Sequence, residues 1–522
     1  MKILLVTGKL AEGSVRRKVS VSGHEVDVCP LLVSVAAFIT PERAAEALGD
    51  LSRSDYDLIL LPGIVRGDVT PVEEATGIPT FKGPTNADDL PLVLELLGEI
   101  ELSKTESASG LIQELRTTRA LSELEEAENA WRETLEAEGG MTIGGGSHEV
   151  PIGEPFPMRV IAEIVNAPTL QLESVRSRAR YYEAEGADII DIGMLAGKSN
   201  PRAVGGLVEA VRSSVDLPVS IDTLDPSEIE AAVDAGVDLI LSIDRGNMEA
   251  VASVVAETPV VVLPSDMRQG FLPKGAEERV AFLNANIRAA RELGIEKIIA
   301  DPVLEPAVKP GLLESLRAYQ LFRQQDPTTP VLYGLGNVTE LIDVDSPGVN
   351  GLLAALASEV GANLLFIPEH SAKARGSVRE TAQAARMMFL AKRRERPPKD
   401  LGIDLLLLKE KRRTEAPYDV SVEAGARVLD ARGEGDLELD GLGWFEIRVD
   451  RERGLIVATH HVEGEGSPTV IRGQDARRIY QTIISEGLVG KYDHAAYLGK
   501  ELTKAELALR LGRSYRQDEP LF

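Results

Sequence analysis

Residues Pro218-Val-Ser-Ile-Asp222-Thr223 form a short apolar run that stops on an acid. Upstream, Asp188-Ile-Ile-Asp191-Ile-Gly193 has the same form, and downstream Lys297-Ile-Ile-Ala-Asp301-Pro302 repeats it. Each run is too short for a helix and rich in β-branched residues, which predicts a buried parallel strand. Thr223 stands between Asp222 and a helix that starts only at Pro226. Asp301 precedes Pro302, which favours extended backbone. Neither acid therefore reads as an ordinary helix N-cap.

The same period extends in both directions. Strands are predicted over 159–165, 188–193, 218–222, 238–243, 259–263, 297–301, 330–334 and 363–367, each followed by a helical pattern. Eight β/α units in about 235 residues predict a closed (β/α)8 TIM barrel rather than a doubly wound sheet. The barrel is expected over residues 151–395, at the centre of an α/β protein with two flanking domains. Residues 1–102 alternate strand and helix and predict an open α/β domain of Rossmann or flavodoxin type, with Thr40 capping a helix over 41–48. Residues 103–150 read as a charged helical connector and a flexible linker, the latter from the cluster Gly139-Gly-Met-Thr-Ile-Gly-Gly-Gly146. A proline-marked break near Pro398 precedes an α+β domain over 404–522. Its hairpin is expected over 443–459 and its helices over 474–484 and 495–511.

Composition narrows the partners. The 522 residues are 43% apolar, with 57 basic against 83 acidic side chains and a net charge of -26. Such a chain is globular, and its charge argues against nucleic-acid or anionic-membrane binding. The single cysteine, Cys29, excludes an internal disulfide and suits a reducing compartment. The N-terminus lacks a signal-peptide layout and no run approaches the roughly 20 apolar residues of a membrane helix, so a cytoplasmic location is expected.

In a barrel, residues just past the C-terminal ends of strands face the active site. Here these are Asn166, Asp191, Asp222, Ser242 with Asp244, Ser265, Asp301, the turn Gly334-Leu-Gly336-Asn337, and His370. A ring of carboxylates and amides suits an uncharged ligand rich in N–H donors, such as a fused amino-oxo heterocycle. Mg²⁺ is the competing use of Asp and Asn.

These motifs together resemble the pterin-binding barrel family, which includes dihydropteroate synthase and the corrinoid-linked methyltetrahydrofolate methyltransferases. Asn166 resembles the family's first-loop Asn. Gly186-Ala-Asp-Ile-Ile-Asp-Ile-Gly193 is similar to its second-strand signature. Asp222 and Asp301 resemble the two acids that hold the pterin. The resemblance implies pterin binding by Asp222, Asp301, Ser242, Asp244 and Asn337, with Asn166 on Mg²⁺ and the substrate's diphosphate. Departures accompany it. Synthases carry Ser-Arg-Lys after the seventh strand, where this chain has Gly336-Asn337-Val338, closer to the methyltransferase turn. After the eighth strand, Arg-x-His is replaced by Glu369-His370-Ser371-Ala-Lys373-Ala-Arg375. His370, Lys373 and Arg375, with Asn337, are the implied catalytic set.

The three-part layout is similar to the dihydropteroate synthase-related proteins of archaea and of tetrahydromethanopterin-using bacteria. It implies a transferase that joins a pterin-methyl diphosphate to an arylamine in tetrahydromethanopterin biosynthesis. The alternatives are a pterin-dependent methyltransferase working with a corrinoid protein, and a non-catalytic pterin-binding protein. Homodimerisation is expected by analogy of fold. His494, in a tail stretch shared with archaeal proteins of one-carbon metabolism, is read as making a local hydrogen bond.

Overall fold

Four apolar runs near the N-terminus form β1 (Lys2–Gly8), β2 (Glu25–Leu31), β3 (Leu58–Leu61) and β4 (Thr80–Lys82) in the computed structural model of the chain. That structure describes residues 1–20, 22–146, 148–411, 418, 423, 426–429, 431, 440–462, 464 and 467–522. The four strands pair in parallel in the order β2-β1-β3-β4, an open sheet with helices between strands. Thr40 caps the helix Pro41–Leu48 by accepting from the Arg43 N–H, with Pro41 in the first helical turn. The chain divides into two units, one of Met1–Pro368 with Ser377–Leu405, the other of Glu369–Gly376 with Leu406–Phe522.

Within the first unit the barrel strands follow: β7 (Arg159–Ile164), β8 (Ile189–Gly193), β9 (Val219–Asp222), β10 (Leu239–Ile243), β11 (Val260–Val262), β12 (Ile298–Ala300), β13 (Leu332–Gly334) and β14 (Leu364–Pro368). All eight are parallel, hydrogen-bonded in the order β12-β11-β10-β9-β8-β7-β14-β13. A parallel bridge between Ala300 and Val331 joins the two ends and closes the ring. Alternation splits each strand between two apolar layers. Ile161, Ile189, Leu239, Leu241, Val261, Ile299, Leu332 and Leu364 fill the interior. Val160, Ile190, Val219, Ile240 and Val260 face the surrounding helices.

The glycine cluster is not a linker. Met141–Ile143 (β5) and Val150–Ile152 (β6) pair as an antiparallel hairpin. Ile143 and Ile152, both fully buried, join the interior cluster of the barrel. Arg159 at the start of β7 donates to the Pro151 carbonyl, so the hairpin plugs the N-terminal end of the barrel. Burying two such side chains stabilises by about 1.5–3 kcal/mol each. Gly140, at φ 135°, passes so near the partner strand that a Cβ would stand 2.7 Å from the Ile152 carbonyl oxygen. The glycines permit a tight turn and close strand approach instead of flexibility.

The second unit holds a meander of β15 (Trp444–Asp450), β16 (Leu455–His461) and β17 (Thr469–Gly473), of which the last was not expected. Helices Ala476–Ser485 and Tyr492–Arg510 pack on it through Phe445, Ile447, Ile456, Ile479, Ile483, Leu498 and Leu502. His494 Nδ1 lies 2.9 Å from Asp440 Oδ2, which also accepts the Gly490 N–H, a local tie between loop and helix start.

Candidate active site

The alternation that buries Ile161, Ile189 and Ile299 inside the barrel carries the residue two places on into its mouth. Those residues are Glu163, Asp191 and Asp301. On β9, with Val219 and Ile221 facing outward, Ser220 and Asp222 face in. Four carboxylates thus enter one apolar-walled opening. β10 breaks the alternation. Leu241 faces the interior while Ile243 lies in the outer layer, and the register against β11 shifts between Ile240 and Ile243. Ser242 absorbs the shift with φ 77°, a bulge that turns its hydroxyl inward. That hydroxyl donates to Asp222 Oδ1 at 2.5 Å.

Each carboxylate has a distinct setting. Asp191 is fully buried; Ser220 Oγ donates to its Oδ1 at 2.7 Å, and its Oδ2 is buried with no partner. Burial, with the charges of Asp222 and Glu163 added, pushes the Asp191 carboxyl well above the ordinary range. Burial also raises Asp222, against the opposing Ser242 hydrogen bond. Asp301 Oδ1 accepts the Tyr319 hydroxyl and the Val303 N–H, both at 2.7 Å. Burial nonetheless lifts it to about 6, the two hydrogen bonds and the Arg279 charge holding it from going higher. The Oδ2 atoms of Asp222 and Asp301 have no partner among the described residues. Glu163 is the acid that the sequence reading missed. Burial, then the charges of Asp222 and Glu340, push it up to about 8. Its carboxyl occupies the space where a Cβ on Gly193 would fall. The signal was a lone acid in an apolar strand, two residues beyond an interior Ile, beside a strand that ends in glycine.

The other expected site residues fall in different places. Asp244 is buried and committed to the loops, accepting from Gly246 N at 2.8 Å, Ser265 Oγ at 2.9 Å and Met267 N at 2.6 Å. It lines the cavity beside Asp222 and Ser242 while those donors hold its carboxylate in place. Asn337 is in the first turn of a short helix, Gly336–Thr339, where its Nδ2 donates to the Leu304 carbonyl at 2.7 Å and ties the β13 turn to the loop after β12. Asn166 ends β7 in left-handed conformation, φ 52°, ahead of a 3₁₀ turn. His370, Lys373 and Arg375 lie in Glu369–Gly376, which belongs to the second unit, whereas the four carboxylates belong to the first.

A cavity of about 880 Å³ runs from Asp222 and Ser242 outward under the loops after β8, β9 and β10. Its polar lining includes Lys198, Thr223, Asp225, Asn247 and Arg268. Asp301 is not part of that lining, although the charge of Asp222 reaches it. Among the described residues no group of three His, Cys, Asp or Glu is arranged to hold a metal ion. Asn166 offers one neutral amide oxygen, which suits a cation held mainly by water and substrate phosphate.

Several parts of the chain match known families. Residues 165–363 match the family described as "Pterin binding enzyme". Residues 439–518 match the family "PterinBD-DUF4346", and residues 1–85 a family of unknown function, DUF6513. The uncharacterized protein MJ0107 of Methanocaldococcus jannaschii is 39% identical over 533 residues, spanning 100% of this chain and 99% of its own. The chain belongs to the same family as that protein and carries a pterin-binding domain. A Ycf91-like protein of Nostoc is 32% identical over 126 residues, 19% of this chain and 99% of that protein. Among solved structures, dihydropteroate synthase of Xanthomonas albilineans with 4-aminobenzoic acid is 22% identical, covering 47% of this chain and 96% of the synthase with a TM-score of 0.39. The Thermus thermophilus synthase with 6HMPPP is 24% identical, covering 47% and 97%, with a TM-score of 0.37. In this pterin-binding protein the family match spans the loops and strands from Asn166 through Asp222 and Asp301 to Asn337. No helix among its described residues is long and apolar enough to cross a membrane.

Proposed function

We propose that this protein is a transferase of the dihydropteroate synthase type, joining a pterin-methyl diphosphate to an arylamine in tetrahydromethanopterin biosynthesis. The pterin is held by Asp222 and Asp301. The observation that carries this reading is the pair of free carboxylate oxygens on β9 and just after β12. Each acid has its Oδ1 fixed by hydroxyl donors, leaving Oδ2 for a ligand. A carboxylate accepts two adjacent N–H bonds, and the amino-oxo edge of a pterin presents such a pair. The 880 Å³ cavity beyond Asp222 has room for a chain leading away from the heterocycle, and Lys198 and Arg268 on its walls supply positive charge for a diphosphate. Asn166 adds a neutral oxygen for a divalent cation that arrives with the substrate.

The chemistry asked of the protein is modest. The C–O bond to diphosphate breaks, a C–N bond to the amine forms, and the amine loses a proton. Orientation of the amine and stabilisation of the departing negative charge account for the rate. Lys198 and Arg268 are the candidates for that stabilisation. The pinned Asn337 amide keeps methyl transfer from a reduced pterin as the second reading, with a corrinoid protein as acceptor.

The experiment supplies purified protein with dihydropterin-methyl diphosphate, Mg²⁺ and either p-aminobenzoate or its ribofuranosyl phosphate, and follows diphosphate release. Release coupled to a pterin–amine product, and lost in Asp222→Asn and Asp301→Asn, is expected. Tight pterin binding with no turnover on either amine would sink the transferase reading and leave pterin binding standing.

A further inference from the structure

Glu163 has no role in the function proposed above, yet its place is built for one. It faces into the barrel from β7, in register with Asp191 on β8. Its carboxyl lies against Gly193, and Gly193 is the register partner of Asp222. Any side chain at position 193 would take the space that the carboxyl fills. Glu163 makes no hydrogen bond to any described residue, and it is only part-buried, so it is open to a ligand at the mouth. Among the described residues the titratable groups acting on it are Asp191 from β8, Asp222 from β9 and Glu340 from the turn after the short helix Gly336–Thr339. Packed so close, the acids do not all ionise together, and a proton stays among them at neutral pH.

A fused amino-oxo heterocycle has acceptors, its oxo oxygen and ring nitrogens, as well as N–H donors. At the inner end of the site, Asp222 and Asp301 only accept. The Ser242 proton is given to Asp222, and one Asn337 N–H to Leu304. We propose that Glu163 is a specificity-determining residue of the pterin site, its carboxyl carrying a proton and donating it in a hydrogen bond to an acceptor atom of the heterocycle. This rests on the pterin reading and adds to it that the pocket reads both halves of the ligand's hydrogen-bonding pattern.

The test uses the full chain and 6-hydroxymethylpterin, with affinity followed by pterin fluorescence from about pH 6.5 to 9.5. Burial and the neighbouring acids push the Glu163 carboxyl up to about 8. The wild-type affinity is therefore expected to be about tenfold weaker near pH 9 than near pH 7. Glu163→Gln keeps a donor that does not titrate. It is expected to bind within about threefold of wild type at pH 7 and to hold that affinity as the pH rises. Titration of the ligand itself is common to both proteins, so the difference between their profiles isolates Glu163. Parallel profiles overturn the proposal, as does a Gln variant as weak at pH 7 as Glu163→Ala. Absence of wild-type binding at every pH overturns the pterin reading and this inference with it. Binding that is lost in Asp222→Asn but indifferent to Glu163 overturns the inference alone.

Discussion

At the scale of single residues, the raised carboxyl groups of the mouth tie both stability and binding to pH. Burial pushes Asp301 up to about 6 from an ordinary 3.8, and burial with the neighbouring acids pushes Glu163 up to about 8 from 4.5. A raised carboxyl means that the folded state holds its proton more tightly than the unfolded chain. The associated stability is complete below the unfolded value and is lost as the pH rises through the folded one. The ligand-free protein should therefore melt at progressively lower temperature between pH 5 and 9, and Glu163→Gln should reduce that decline, as scanning calorimetry would show. Binding runs the other way on the acid side, because the free Oδ2 of Asp301 must be ionised to accept from the ligand's N–H edge. Pterin affinity should fall as the pH drops through about 6 and vary less in Asp301→Asn. That variant should bind at least about tenfold more weakly at neutral pH, since a hydrogen bond to a charged group contributes about 1.5–3 kcal/mol. An Asp301→Asn protein with wild-type affinity would remove Asp301 from the pterin site.

At the scale of elements, short buried strands were readable because each is a β-branched run between helical patterns, and the eight of them fixed the barrel. The acids at their ends, Asp222 and Asp301, were readable for the same reason. Asp244 was placed at the mouth by its strand position, which cannot reveal that three donors from neighbouring loops also hold its oxygens. Glu163 was missed because its meaning depends on Gly193, thirty positions away in sequence and adjacent only across the sheet. The hairpin of β5 and β6 was hidden by its length: two strands of three residues between glycines carry no period. Its weight can be measured. Ile152 is fully buried against the barrel interior, so Ile152→Ala should cost about 2–5 kcal/mol in denaturant unfolding. Gly140→Ala should also destabilise, since its backbone sits at φ 135° and the new methyl meets the Ile152 carbonyl. If neither change moves the unfolding midpoint, the hairpin is not a structural floor.

At the scale of the whole molecule, the boundary that the sequence suggested at residue 151 cuts through the first unit. The helix Ala108–Asn129 works at both ends. Ala108 and Ile112 are buried with β1 and β3, while Ala120 and Leu124 are buried with Leu390, Ala391 and Leu401 beside the barrel's last helix. Glu128 takes both terminal nitrogens of Arg159, at 2.6 and 2.9 Å, and Arg159 is 5% exposed. Glu123 grips Arg394 in the same two-pronged way, and Thr117 donates to the Gly402 carbonyl. A fragment of residues 151–395 keeps Arg159 but loses Glu128, β5 and most of the hairpin. Arg159 keeps Asp188 at 3.4 Å but loses the two hydrogen bonds to Glu128, each worth about 1.5–3 kcal/mol to a charged group, and the fragment also loses the buried Ile143. A fragment of residues 103–405 retains both ion pairs and the floor. The longer piece should give a cooperative thermal transition by circular dichroism, and the shorter should be unfolded or aggregated. Equal melting of the two would show that the helix is a mere connector after all.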